Sequence, residues 1–206
     1  MKFVLTSNAS SVNHSWATEL GVNPDKLTAA FIDTAADVYN KAEAEWLRAD
    51  RNSLTDLGLN VTDYSLVGKN KSQLIEDLAK FDVLFVSGGN TFYLLEHSNK
   101  SGFTDLIKED YFKDKIYIGS SAGSVLLSNN IEVIKFLDDP QNANLDNYNG
   151  VGIFNFTILP HWGSDKFKEK YLKAVDYAYL NSIQAFALPD NQYIVSENNS
   201  FKLLTD

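Results

Sequence analysis

The chain contains no cysteine and only three histidines among its 206 residues. The absence of cysteine excludes disulfide bonds, cysteine-ligated zinc, iron–sulfur clusters and a cysteine nucleophile. The three histidines are far apart, and no His-Glu-x-x-His pattern occurs. Because these are the usual ligand patterns, we expect neither a metal site nor a cofactor.

Long apolar runs are also missing. Near the N-terminus only Phe3, Val4 and Leu5 are consecutive apolar residues, whereas a signal peptide needs roughly 7–15 of them and a membrane-spanning helix about 20. We therefore expect a cytoplasmic protein that does not act on membranes. Basic charge is scarce as well, with 18 Lys and Arg against 27 Asp and Glu and a formal net charge of −9. This balance disfavours nucleic acid as a partner.

The composition that is present is typical of a globular protein. Hydrophobic residues make up 44% of the chain and charged residues 22%, which is enough to bury a sizeable core. The length fits one domain, and we expect residues 1–206 to form it. Short apolar runs alternate with longer segments of helical period, a pattern that predicts βαβ units and a parallel sheet. Residues 165–180 are predicted as a helix, and the Asp- and Asn-rich residues 136–150 as a surface loop.

Three predicted strands run directly into glycine-rich or polar sequence. They cover residues 83–86, 116–118 and 156–159. Ligands of open α/β sheets bind beyond the carboxyl ends of the strands. We therefore expect the ends of these three strands to meet at one edge of the sheet and to form a site there.

The sharpest motif follows the second of these strands. Residues 119–123 read Gly-Ser-Ser-Ala-Gly, a G-x-S-x-G pattern between a predicted strand and a predicted helix. In a nucleophile elbow, this context exposes the central hydroxyl on a sharp turn. Ser121 is therefore a candidate nucleophile, and the Ala122 N–H could face a developing oxyanion. A packing turn built from small residues is the alternative interpretation.

A second glycine-rich segment, residues 87–91, reads Ser-Gly-Gly-Asn-Thr. Glycine lets a backbone N–H approach a substrate closely, so Gly89 is a candidate second oxyanion donor, and Gly88 and Asn90 are candidate substrate contacts. A phosphate-binding loop is disfavoured because neither G-x-x-x-x-G-K-[ST] nor G-x-G-x-x-G occurs. Alternatively Asn90 or Thr91 caps the next helix, a role compatible with oxyanion donation.

Only one histidine fits a general base. His14 lies in an early polar loop and His97 within a predicted helix, whereas His161 directly follows the third strand. Because a base for Ser121 must lie at the same edge of the sheet, we expect His161 to take this role.

A carboxylate is needed to orient the imidazole, and two aspartates are candidates. Asp190 lies in a tight turn downstream of His161, and Asp138 lies between the serine and the histidine in chain order. Either aspartate could instead be a simple turn residue, which is common beside Pro and Asn.

Taken together, these motifs resemble peptidase family S51, a family of serine peptidases that includes peptidase E and the cyanophycinases. Residues 87–92, 119–124 and 159–161 carry the resemblance, which spans most of the chain. It implies a flavodoxin-like, class I glutamine amidotransferase-like fold, an α/β three-layer sandwich with a mostly parallel central sheet. It also implies Ser121 as nucleophile, His161 as base, and the Gly89 and Ala122 amides as oxyanion hole.

The family departs from this chain at the third catalytic position. It places a glutamate in a turn that residues 188–191 match here, and an aspartate has also been proposed in a segment that residues 138–140 match. Asp190 is one methylene shorter than glutamate, so either the backbone shifts or Asp138 takes the role. We favour Asp190.

The resemblance implies hydrolysis of short peptides through an acyl-enzyme, with N-terminal aspartyl dipeptides as one candidate substrate. An acidic substrate needs a cationic or donor-rich pocket. The only arginines, Arg48 and Arg51, fall on one predicted helix, where we expect both side chains to be exposed, so a lysine or backbone amides would have to bind the acidic group. An esterase or amidase with a non-peptide acyl substrate, and a non-catalytic small-molecule binder, are the alternatives. The chain could act as a monomer or a homodimer.

Overall fold

The computed structural model describes residues 1–12, 15–197 and 200–206. Within these ranges the strands are β1 (Lys2–Thr6), β2 (Thr28–Ile32), β3 (Asn60–Tyr64), β4 (Val83–Val86), β5 (Ile116–Ser120), β6 (Thr157–Pro160), β7 (Ala185–Leu188), β8 (Gln192–Glu197) and β9 (Ser200–Thr205). The α-helices are α1 (Ser15–Leu20), α2 (Glu45–Asp56), α3 (Lys71–Leu78), α4 (Thr91–Ser101), α5 (Phe103–Lys108), α6 (Ala122–Val125) and α7 (Lys168–Leu180).

Seven strands form the main sheet, in the order β3-β2-β4-β5-β1-β8-β9. Strands β1 to β5 run parallel, whereas β8 pairs antiparallel with β1 and β9 antiparallel with β8. The mostly parallel sheet predicted from the sequence is therefore confirmed. The order β3-β2-β4-β5 matches the first four places of the flavodoxin order 2-1-3-4-5, and the N-terminal strand β1 takes the fifth place.

The sheet is covered on both faces, because neighbouring residues of each strand point to opposite sides. Leu5 and Ile32 belong to a buried apolar cluster that includes residues of α3 to α7. Val4 and Phe31 belong to a second cluster that includes residues of α1 and α2. Helices, sheet and helices thus form three layers, as predicted.

Strand β6 lies outside the main sheet, and in this respect the sequence prediction is wrong. It pairs in parallel with β7 alone, in a separate two-stranded sheet. The position beside β1 is occupied by β8, which extends the main sheet in the antiparallel direction. An apolar run predicts a buried strand but does not specify its pairing partner, which is why the sequence could not separate the two sheets.

Other local predictions differ in detail. The helix predicted over residues 165–180 is a 3-10 turn, Asp165–Phe167, followed by α7. The predicted loop over residues 136–150 contains a 3-10 turn, Pro140–Asn142, and Asp138 within it is partly buried rather than exposed. His14 lies outside the described residues. Across the part of the chain that the structure describes, no helix combines the length and apolar character needed to cross a bilayer.

Candidate active site

Ser121 lies on a sharp turn between β5 and α6. Its backbone has φ 48° and ψ −107°, a sparsely populated conformation that costs about 1–3 kcal/mol for a residue with a side chain. A Cβ on Gly123 would lie 2.0 Å from the Val86 carbonyl oxygen, and one on Gly119 would lie 2.6 Å from the Gly123 backbone. Both flanking positions therefore require glycine, and the turn has the local form of a nucleophile elbow.

His161 lies directly after β6 and faces this serine. Its Nε2 is 3.1 Å from the Ser121 Oγ, and its Nδ1 is 2.8 Å from Oδ1 of Asp190. The imidazole ring stacks on Phe167 with centroids 5.3 Å apart and an interplanar angle of 13°. Hydrogen bonds on both ring nitrogens and this stacking fix the ring in one orientation.

Ser7 is part of this constellation and was missed in the sequence analysis. It follows β1, is fully buried, and its hydroxyl donates a hydrogen bond of 2.6 Å to Oδ1 of Asp190. The Ser7 hydroxyl oxygen in turn accepts a hydrogen bond from the backbone N–H of His161. Its place at the carboxyl end of a parallel strand was the available signal, but an isolated serine carries no recognisable motif.

Asp190 is held in its charged form. Burial raises the pKa of its carboxyl, but the hydrogen bonds from His161 and Ser7 outweigh burial, and the net pKa is lowered. A carboxylate that remains ionised can orient the imidazole and stabilise its protonated form.

Asp138, the other candidate acid, contacts a different element. Its Oδ2 accepts hydrogen bonds from the Thr91 backbone N–H at 2.9 Å and the Thr91 hydroxyl at 2.6 Å. It therefore caps the start of α4, while the His161 ring is paired with Asp190. The geometry is against Asp138 as the residue that orients the histidine.

Asn90, which was predicted as a substrate contact, caps a helix in the structure and does not belong to the cavity lining. Its Oδ1 caps α4 by accepting the Tyr93 N–H at 2.9 Å, and its Nδ2 donates to the Asp139 carbonyl at 2.9 Å. The residue is fully buried. Because both polar ends of the side chain are already bonded, the capping alternative describes this residue.

Two backbone amides are available near the serine. Neither the Gly89 nor the Ala122 N–H donates to another group among the described residues. Gly88 lies against the serine, since a Cβ built on it would be 3.4 Å from the Ser121 Cβ. Gly89 has φ 133°, and a Cβ there would lie 2.2 Å from the Ala35 carbonyl oxygen. The loop therefore needs glycine to bring its amides to the site.

The site opens into a cavity of about 280 Å³. Its lining includes Ser7, Asn8, Tyr39, Trp46, Asp50, Gly88, Gly89, Ser121, Asp138, His161 and Lys166. Neither arginine belongs to this lining. Within the described residues no three His, Asp or Glu side chains are grouped to hold a metal ion.

Asp50 is a second functional candidate that sequence reasoning missed. It lies on α2, is only 3% exposed and lines the cavity. Burial raises the pKa of its carboxyl from 3.8 to about 6, against hydrogen bonds from Ser120 and Ser10 and the charge of His161. Its sequence neighbourhood is an ordinary amphipathic helix, so only the folded chain brings it to the site.

The sequence and the fold are similar to those of known proteins. The family model described as peptidase family S51 matches residues 4–204. An uncharacterized peptidase of Listeria monocytogenes serovar 1/2a is 34% identical over 178 residues, which is 86% of this chain and 85% of that protein. Peptidase E of Salmonella arizonae is 29% identical over 172 residues, which is 79% of this chain and 69% of that protein.

A solved structure shows the same architecture over the full length. The crystal structure of a candidate peptidase E from Listeria monocytogenes EGD-e superposes with a TM-score of 0.89 at 30% sequence identity, and covers 100% of this chain and 98% of that one. A family model that matches nearly the whole chain, together with a relative above 30% identity, establishes the assignment. The chain belongs to peptidase family S51 and is a peptidase hydrolase.

Proposed function

We propose that the protein is a serine peptidase that hydrolyses short peptides through Ser121, His161 and Asp190. The observation that carries this proposal is the continuous chain of contacts, with 3.1 Å from hydroxyl to imidazole and 2.8 Å from imidazole to carboxylate. A serine hydroxyl is a weak nucleophile unless a base stands within hydrogen-bond reach of it. The names of its relatives, peptidase E among them, support the same chemistry.

The geometry supports the following sequence of steps. His161 Nε2 accepts the Ser121 proton as Oγ bonds to the scissile carbonyl carbon, and the carbonyl oxygen gains negative charge. The Gly89 and Ala122 amides donate hydrogen bonds to that oxyanion. His161 then returns the proton to the leaving amine as the C–N bond breaks. Water hydrolyses the resulting ester by the same route, and Asp190 stabilises the imidazolium in both halves.

The size of the cavity supports a short substrate. A volume of about 280 Å³ lies at the lower end of ordinary ligand pockets, which run from roughly 300 to 1,000 Å³. Tyr39 and Trp46 stand beside it, edge to face, with ring centroids 6.2 Å apart. We infer that one or two residues of a peptide fit, with aspartyl dipeptides as one candidate class.

Active-site labelling and a substrate panel test this proposal. A fluorophosphonate should label wild-type protein at Ser121 and leave Ser121→Ala unlabelled, as peptide mapping by mass spectrometry would show. Aspartyl dipeptides, other dipeptides and simple esters are then compared by kcat/KM. Turnover of esters alone would favour the esterase alternative, and a protein that neither labels nor turns over any of them would contradict the proposal.

A further inference from the structure

Asp50 presents an unusual charge to the cavity. The residue is only 3% exposed, yet it contributes to the cavity lining together with Ser121. A buried carboxylate is ordinarily paired with a cation, because transferring an isolated charge out of water is costly.

The partners of Asp50 among the described residues are neutral. Its Oδ1 accepts the Ser10 backbone N–H at 3.2 Å, and the neighbouring Ser120 hydroxyl lowers the pKa of the carboxyl. No lysine, arginine or histidine forms an ion pair with it within the described part of the chain. By contrast Asp33, which is less buried than Asp50, forms an ion pair with Lys41, with 2.8 Å between Oδ2 and Nζ.

The place of Asp50 matches one group of a peptide. Ser120 and Ser121 line the same cavity as Asp50, and the Cα atoms of these two consecutive serines are about 3.8 Å apart. When the carbonyl of an N-terminal residue is attacked by Ser121, the α-nitrogen of that residue is two bonds from the reacting carbon. A free α-ammonium therefore lies within the small cavity that Asp50 lines, and it supplies the cation that the carboxylate lacks.

We propose that Asp50 binds the α-ammonium of the substrate's N-terminal residue and so directs hydrolysis to the first peptide bond of peptides with a free amino terminus. This inference rests on the proposed function. The other charged or titratable groups of the lining are Tyr39, Asp138, His161 and Lys166. Asp138 accepts two hydrogen bonds from Thr91 and is less buried than Asp50, and Lys166 is exposed and lies over the Phe167 ring at 5.4 Å. Asp50 is thus the most buried anion of the lining and has no cationic partner among the described residues.

Two phosphonate probes isolate this contact. Diphenyl 1-aminoethylphosphonate carries the amine, and diphenyl ethylphosphonate lacks it. In both, Ser121 Oγ attacks phosphorus and phenol leaves, so the second-order rate of labelling measures access to the same nucleophile. The amine pKa of the probe is determined by titration, and labelling is carried out at a pH below it, so that the probe carries the ammonium charge.

The measurement is the ratio of the two labelling rates, compared between wild type and Asp50→Asn. Intrinsic reactivity of the probes cancels in this comparison. Because a hydrogen bond to a charged group is worth about a factor of ten or more, we expect the ratio to fall on the order of tenfold in the variant. The rate with the amine-free probe should stay near its wild-type value. Asp138→Asn, which removes a neighbouring charge, should keep the wild-type ratio.

The possible outcomes distinguish a failure of the Asp50 proposal from a failure of the proposed peptidase function. If neither probe labels wild-type Ser121, the proposed function fails. If both label but the ratio is unchanged in Asp50→Asn, or both rates fall equally, Asp50 is structural and the inference is overturned. A further test uses wild-type protein alone and so does not depend on the folding of the variant. N-acetylation of the amino probe should reduce its labelling rate to that of the amine-free probe. A labelling rate that acetylation does not reduce would also overturn the inference.

Discussion

Two sides of the site, called here its two walls, shift the pKa of an aspartate carboxyl in opposite directions. On the wall built by Ser121, His161 and Ser7, the carboxyl of Asp190 receives hydrogen bonds from histidine and serine, and its pKa is lowered. On the wall built by α2, burial dominates at Asp50 and raises its pKa to about 6. The first wall is complete without substrate, as preorganised catalysis requires. The second lacks a cation, as a binding site for one would.

The largest expected effect on kcat comes from removing the proposed nucleophile, Ser121. Ser121→Ala should lower kcat by roughly 10⁴–10⁶ with the best dipeptide of the panel, because no neighbouring group replaces the hydroxyl. Steady-state kinetics on the purified variant, with circular dichroism to verify folding, measure this. Activity close to wild type would mean that the contact between Ser121 and His161 is not catalytic.

The next effect distinguishes the two candidate acids. Asp190→Asn should lower kcat by about 10³–10⁴, because a neutral amide no longer favours the correct imidazole tautomer or the imidazolium. Asp138→Asn should retain most of the activity and lose stability instead, since Asp138 caps α4. Parallel kcat and urea-unfolding measurements compare them. A larger kcat loss in Asp138→Asn would reverse the assignment.

On the α2 wall, the charge of the buried Asp50 carboxylate should lower the free energy of unfolding. The folded Asp50 carboxyl binds a proton more tightly than the unfolded one, so wild type loses stability as pH rises from 3.8 to about 6, and the full loss is present above that window. A difference of about two pKa units corresponds to roughly 3 kcal/mol. Asp50→Asn should lack this loss.

Urea unfolding of wild type and Asp50→Asn across this pH range measures the effect. The difference in unfolding free energy should shift in favour of the variant as pH rises, and the slope is the readout because Asn also changes the hydrogen bonding. A difference that does not vary with pH would mean that the Asp50 charge is already compensated.

The smallest effect concerns Ser7, which contacts both His161 and Asp190. Ser7→Ala removes the hydroxyl that donates to Asp190 at 2.6 Å. We expect kcat to fall on the order of tenfold, as for one hydrogen bond to a charged group, with KM little changed. Ser7→Thr keeps the hydroxyl and should recover part of the loss. An effect on KM alone would indicate a substrate contact instead of a positioning role.

The sequence predicted the elements that its local patterns encode. The apolar runs at β4 and β5, the glycines on both sides of Ser121 and the position of His161 after a strand are all local signals. They led to the layered architecture and to the residues that the structure brings together. Gly119 and Gly123 were informative because the close backbone contacts around them exclude any larger residue.

The features that the sequence did not predict depend on contacts between segments that are far apart in the chain. The sequence did not reveal that β6 pairs with β7 in a separate sheet, since an apolar run is compatible with either sheet. Ser7 and Asp50 were missed because each contributes one polar atom from a segment without a motif. The choice between Asp190 and Asp138 needed the position of the imidazole, which local spacing does not determine.

The separate sheet has a mechanical consequence. His161 follows β6 and Asp190 follows β7, so the proposed base and the proposed acid are both attached to the two-stranded sheet, whereas Ser121 follows β5 of the main sheet. A displacement between the two sheets would lengthen the 3.1 Å gap between hydroxyl and imidazole and leave the imidazole–carboxylate contact intact. In the proposed mechanism this separation is the distance over which the proton moves, and Ser7, which follows β1 of the main sheet, hydrogen bonds to both His161 and Asp190 across it.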